Sequence, residues 1–68
     1  MKISYDKTAG ALYFKILENT RVVESQEVRE GVVLDLDINN QVVGIEILTT
    51  LNPNLEHEMK NISIQISN

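Results

Sequence analysis

GVVLDLDINNQVVGIEIL, residues 31–48, reads as a complete β-hairpin whose register can be checked from the sequence. With Asn39 and Asn40 at the turn, Leu36 faces Val43, Leu34 faces Ile45 and Val32 faces Ile47, so one face of the pair is wholly apolar. The other face carries Val33, Asp35, Asp37, Val42, Gly44, Glu46 and Leu48. A slip by one residue would set Leu36 against Val42 and Leu34 against Gly44 and mix the faces, so this register is the expected one. Asparagine tolerates the positive φ that a tight turn requires. The hairpin specifies a half-buried antiparallel sheet; it specifies no chemistry.

Working outward, residues 2–5 alternate, with Ile3 and Tyr5 on one side. Residues 6–10 make a turn or a single helical turn, in which Asp6 can accept from backbone N–H groups two or three positions on. Residues 11–17 form a strand with Leu12, Phe14 and Ile16 on one face and Tyr13, Lys15 and Leu17 on the other. Residues 21–28 are awkward: β-forming valines flank Glu24-Ser25-Gln26-Glu27. A three-residue turn, Arg29-Glu30-Gly31, would pair Val28 with Val32 and then set Gln26 against Leu34 and Glu24 against Leu36. That is wrong for a buried face, and a bulge or an early departure from the sheet would resolve it. Asn52-Pro53 marks a helix start, with Leu55, Met59 and Ile62 as its apolar stripe and Glu56 and Lys60 matched to its dipole. Ile62, Ile64 and Ile66 alternate with Ser63, Gln65 and Ser67, the pattern of a final half-buried strand over residues 61–67. The expected fold class is α+β, mostly β: an antiparallel sheet of five or six strands with one short C-terminal helix packed on its apolar face.

With 68 residues, 43% of them hydrophobic, the chain is expected to be a single small domain over residues 1–68. In so short a chain apolar burial roughly cancels the ordering cost, about 1.5 kcal/mol per residue, and small domains often borrow stability elsewhere. The absence of cysteine excludes disulfides and thiolate metal sites. Good packing or self-association remains, and a homo-oligomer is expected. A net charge of −4, with Lys2, Lys7, Lys15, Arg21, Arg29 and Lys60 scattered, argues against nucleic acid and for a basic partner. No apolar run reaches the ~20 residues of a membrane span, and the first residues lack the apolar segment of a signal peptide. A cytoplasmic location follows as an expectation.

Three segments together carry a resemblance: YDKTAGALYFKI (residues 5–16), ESQEV (24–28) and the hairpin (31–48). The chain resembles the small prokaryotic family filed as domain of unknown function 2283. Its members look like Tyr-Asp-x-x-Ala-Asp-Ala-Leu-Tyr followed by a Gly-Val-x-x-Asp hairpin ending Val-Gly-Ile-Glu-Ile-Leu. Gly10 stands where the family usually has Asp, and Asn40 where it usually has Gly. The resemblance implies a compact prokaryotic sheet protein and no established activity, so no catalytic residue is carried over. Genes of this kind can lie beside small toxin-like genes, which implies an antitoxin-like, partner-binding role.

Three groups of residues are candidates for function. Strand alternation places Asp35 and Asp37 on one face with Glu46 across the ladder, a set that could dock a basic protein or hold Mg²⁺ or Ca²⁺. The plainer reading is the solvated face of a one-sided sheet. Glu24 and Glu27 lie in the strand that breaks the apolar pattern, either a binding edge or an edge charged against aggregation. His57, the sole histidine, has no second histidine or cysteine to complete a zinc site. The serines have no matching base, and no glycine-rich phosphate loop is present. The reading is therefore a non-enzymatic binding module without a cofactor, binding through Asp35, Asp37, Glu46, Glu24 and Glu27. A small basic protein is its candidate partner. A self-assembling structural homo-oligomer and a divalent-metal enzyme on Asp35, Asp37 and Glu46 are the alternatives.

Overall fold

In the computed structural model, which describes residues 1–66, five strands form one antiparallel sheet. They are β1 (Lys2–Asp6), β2 (Ala11–Lys15), β3 (Glu24–Arg29), β4 (Val32–Leu36) and β5 (Val42–Leu48). Their order across the sheet is β1-β2-β5-β4-β3. Three successive strands joined by hairpin turns, with β2 laid beside the last of them, make a Greek-key arrangement. The fold is α+β and mostly strand: one short helix, α1 (Pro53–Glu58), follows the sheet between two 3-10 turns, Thr49–Leu51 and Met59–Asn61.

The registers divide the side chains between two faces. Ile3, Phe14, Ile45, Leu34 and Gln26 form one row across all five strands; Tyr5, Leu12, Ile47, Val32 and Arg29 form the next row on that face. Both rows are apolar until they reach β3. The opposite face holds the row Ser4, Tyr13, Glu46, Val33, Glu27 and the row Lys2, Lys15, Gly44, Asp35, Ser25. Paired positions point to the same side, so each row is a line of touching neighbours.

The β4–β5 hairpin keeps the expected register at Val32↔Ile47 and Leu34↔Ile45 and departs from it at the tip. There Leu36 pairs with Val42, with a bulge after Asp35 that leaves Val43 as the extra residue. The loop between β2 and β3 supplies the reason. It crosses the hairpin tip, where the Ile16 and Leu17 N–H groups both donate to the Val43 carbonyl (2.7 and 3.1 Å) and Val23 N–H donates to the Leu36 carbonyl (2.9 Å). The displaced Val43 is 1% exposed, as is Leu12, and Leu36 is also buried. The shared acceptor also ends β2 at Lys15, short of the expected residue 17.

The turn is locked by Asp37. Its Oδ1 accepts from the Asn39 and Gln41 amides, both at 2.9 Å, while Asp37 N–H donates to the Gln41 carbonyl at 3.0 Å. Asn40 takes φ +61, the left-handed conformation anticipated for it. At the other end Asp6 Oδ1 accepts from Ala9 N–H, three positions on, at 3.0 Å. Thr49 ties this turn to the end of β5, its N–H and hydroxyl both donating to the Gly10 carbonyl (2.7 and 2.9 Å).

Strand β3 resolves its conflict in neither expected way. Glu24 does pair with Leu36, and Gln26 with Leu34. The bulge lies at Val28, outside the pairs in conflict, because Arg29 pairs with Val32 and closes a two-residue turn, Glu30-Gly31. Gly31 at φ +80 sits under Leu51, whose Cδ1 would lie 2.6 Å from an added Cβ. All six residues of β3 are exposed, so its polar side chains extend over the sheet's edge into water and desolvation is avoided.

Asn52 and Pro53 begin α1 as expected, although the Asn52 side chain makes no cap and instead donates to the Leu48 carbonyl at 3.4 Å. Leu55 and Met59 are half-buried toward the apolar face. The seating is loose: a cleft of about 470 Å³ lies between α1 and the sheet, lined by Val32, Ile47, Leu51 and Leu55 among others. The expected final strand does not form over its described part. Residues 62–66 belong to no helix or strand, and Ser67 lies outside the described residues. The helix delivers this segment above β2, beside Leu12 and Phe14, rather than alongside a sheet edge where its backbone could pair. The count among the described residues is therefore five strands.

Asp37→Ala removes the acceptor of two turn amides at a residue only 7% exposed. The expected cost is about 2 kcal/mol, seen as a lower urea midpoint at unchanged slope. Asp37→Asn keeps an acceptor and should cost less. A loss below ~0.5 kcal/mol, the range of ordinary surface substitutions, would contradict the lock.

Candidate functional site

The strands position the five candidate carboxylates differently. Asp35, Glu46 and Glu27 share the polar face; Glu24 lies opposite Leu36 on the other side; Asp37 is buried in the hairpin turn. Strand alternation placed Asp37 beside Asp35, but β4 ends at Leu36 and the turn takes Asp37 inward to its own amides.

Asp35 is engaged on both oxygens. Tyr13 donates to Oδ2 at 2.8 Å and Ser25 donates to Oδ1 at 2.6 Å, which links β2, β4 and β3 by side chains alone. Tyr13 reaches Asp35 from a strand two places away because Gly44 lies between them on β5. A Cβ at position 44 would overlap the Tyr13 hydroxyl, so glycine is what lets the ring lie flat across the strand. The Tyr13 hydroxyl is pushed up from 10.0 to about 12, first by burial, then by its hydrogen bond to Asp35 and the negative charges of Asp35 and Glu46. A phenol held so firmly in its neutral form at ordinary pH is a hydrogen-bond donor, poorly suited to act as a general base.

Asp35, Tyr13 and Ser25 are thus a structural bridge across the sheet, one that sequence reasoning missed. A glycine within a central strand, with a tyrosine on the neighbouring strand, was the available signal. Among the described residues, neither Glu27 nor Glu46 has an ion-pair partner, whereas Glu24 accepts from Gln26 Nε2 at 2.6 Å. Among those residues, no group of three His, Cys, Asp or Glu side chains is placed to hold a metal ion. Asp35, Asp37 and Glu46 are not drawn to one point, and His57 stands exposed on α1.

The other face presents no chemistry but a broad apolar surface. Ile3, Phe14, Leu34, Ile45, Ile47 and Val32 are all only half-buried. A second cleft, about 320 Å³, opens between Leu12, Phe14, Leu55, Met59 and Ile62. Val22, Val23, Val28 and Leu51 add exposed apolar area nearby in sequence to the strand ends.

The profile of the family described as "Protein of unknown function (DUF2283)" matches residues 2–49, from β1 through β5. No curated protein and no solved structure matches the chain. No helix among the described residues is long and apolar enough to cross a membrane.

Two measurements check the bridge. Absorbance titration should show a tyrosine ionising near pH 12, absent from Tyr13→Phe. The folded value lies above the ~10 of an unfolded tyrosine, so this contribution to stability is complete below about pH 10 and is lost as pH rises toward 12. Gly44→Ala should displace the ring, cost about 1–3 kcal/mol and return that titration toward ~10. A Gly44→Ala protein with unchanged stability and unchanged titration would contradict the ring's placement.

Proposed function

The chain belongs to the DUF2283 family, whose function is unknown, and we propose that it is a non-enzymatic protein-binding module. The observation that carries this reading is the half-covered apolar sheet face, which is wider than the helix meant to cover it. Contiguous exposed apolar surface on a small protein marks an interaction site more often than a defect. The carboxylates that suggested chemistry support the same reading, since Asp35 and Asp37 serve the sheet and the turn. A metal-dependent enzyme on Asp35, Asp37 and Glu46 has no support from this geometry.

A second reading, an antitoxin-like partner of a small basic protein, is favoured by one feature. Glu27 and Glu46 flank Val33 in a single row of the polar face, on a chain of net charge −4. Acidity of this kind steers a basic partner and disfavours nucleic acid. A prokaryotic, cytoplasmic setting completes the proposal.

The test is recovery of the tagged chain and whatever it holds, itself included, from its source cell at low salt. It compares wild type, Ile3→Asp on the apolar face and Glu27→Lys with Glu46→Lys on the polar face. The apolar reading expects complexes lost with Ile3→Asp and kept with the charge reversal, each variant keeping the wild-type circular dichroism. A basic protein lost with the charge reversal and in raised salt would instead select the second reading. A wild-type chain that holds neither a second copy nor any other protein would contradict the module.

A further inference from the structure

The C-terminal segment and the apolar face have complementary needs. Residues 62–66, Ile-Ser-Ile-Gln-Ile, carry no charge and alternate with period two, so all three isoleucines fall on one side of an extended chain. Ile62 has extended geometry, φ −77 and ψ 126. Exposure rises along the segment from 50% at Ile62 to 74% at Ile64 and 85% at Ile66. The segment leaves α1 beside Leu12 and Phe14 and then stands clear of the face it began on. That face has two apolar rows, Ile3-Phe14-Ile45-Leu34 and Tyr5-Leu12-Ile47-Val32, with one charged residue, Arg29, at the end of the second row.

We infer that residues 62–66 of one copy lie on the apolar sheet face of a second copy, reciprocally, in a twofold dimer. The inference names the partner for the apolar face and rests on the protein-binding reading above. The uncovered apolar side chains support a second copy as the occupant: Ile3, Phe14, Leu34, Ile45, Ile47 and Val32 are only half-buried beside α1, and the isoleucines of residues 62–66 of the same chain are exposed. Chemistry supports a second copy, because an uncharged isoleucine stripe fits rows whose charged residues, Arg29 and Glu24, lie only at the β3 edge, whereas a basic partner would seek the other side of the sheet. Each copy supplies one segment and one face, and their reciprocal exchange makes the two contacts identical, so the assembly closes at two. The exchange also accounts for the isoleucine alternation, which has no strand partner within the described chain.

Sedimentation of the full chain over a range of concentrations tests this. Wild type should run at twice the chain mass, and Ile64→Asp with Ile66→Asp should weaken association at least ~100-fold. Those side chains are exposed, so the variant should keep the wild-type circular dichroism. Mixing it with Ile3→Asp should restore a dimer of the two variants, because one intact segment then meets one intact face. Three results would each overturn the inference: a wild type that is monomeric throughout, a segment variant that still dimerises, and a segment variant that lowers the monomer's melting temperature without changing its mass. The last would mean the segment closes on its own sheet. A monomeric wild type that still holds a different protein through Ile3 would leave the binding-module reading standing and remove only the second copy as its partner.

Discussion

One face of a five-stranded sheet has to leave water, and this chain has less than two turns of α-helix with which to cover it. Most features of the structure follow from that constraint. Among the described residues the buried apolar side chains are Leu12, Val43, Leu36 and Ala11, and only the first two are fully buried. Leu36 and Val43 lie under the β2–β3 crossing, and Leu12 lies near α1 and the segment that follows it. Between these covered ends the rest of the two apolar rows remains half-buried, and a domain of this size has little stability to spare for leaving it so.

The polar face shows what the sheet does where it needs no cover. Tyr13 crosses Gly44 to Asp35, and Ser25 completes the bridge to the edge strand. Side chains thus reinforce strand order from β2 to β3 independently of the backbone ladder. The acidic cluster that strand alternation suggested is therefore divided. Asp37 belongs to the turn and Asp35 to the bridge, while Glu27 and Glu46 stay available on the surface. A reading of function that relied on all of them together would assign one role to residues that have three.

Much of the fold was legible in the sequence because strand alternation is a two-residue period that survives in a one-sided sheet. The Val32↔Ile47 and Leu34↔Ile45 rungs, the Asn40 turn, the Asp6 cap and the Pro53 helix start all follow from local chemistry. What was not legible depends on distant chain. The bulge at Val43 exists because a loop from β2 needs its carbonyl, and no pattern within the hairpin announces that. The pairing of Gln26 with Leu34 looked impossible only on the assumption that both lay in a buried interior; at an open edge it is allowed. The isoleucines of residues 62–66 have the alternation of a strand and form none, because the helix delivers the segment over β2 and not alongside either sheet edge. Of the candidate site, the residue identities were readable and their division was not, since burial of Asp37 and capture of Asp35 are tertiary events.

The central claim is the inferred one, that this sheet face is completed by a second copy of the chain. Its most direct test is the melting temperature of the full chain as a function of its own concentration. Association of folded chains raises the melting temperature as concentration rises, since mass action favours the bound folded state. The account predicts a steady increase across several decades of concentration. A melting temperature that does not move would mean that folded copies do not associate with one another, and would contradict the account.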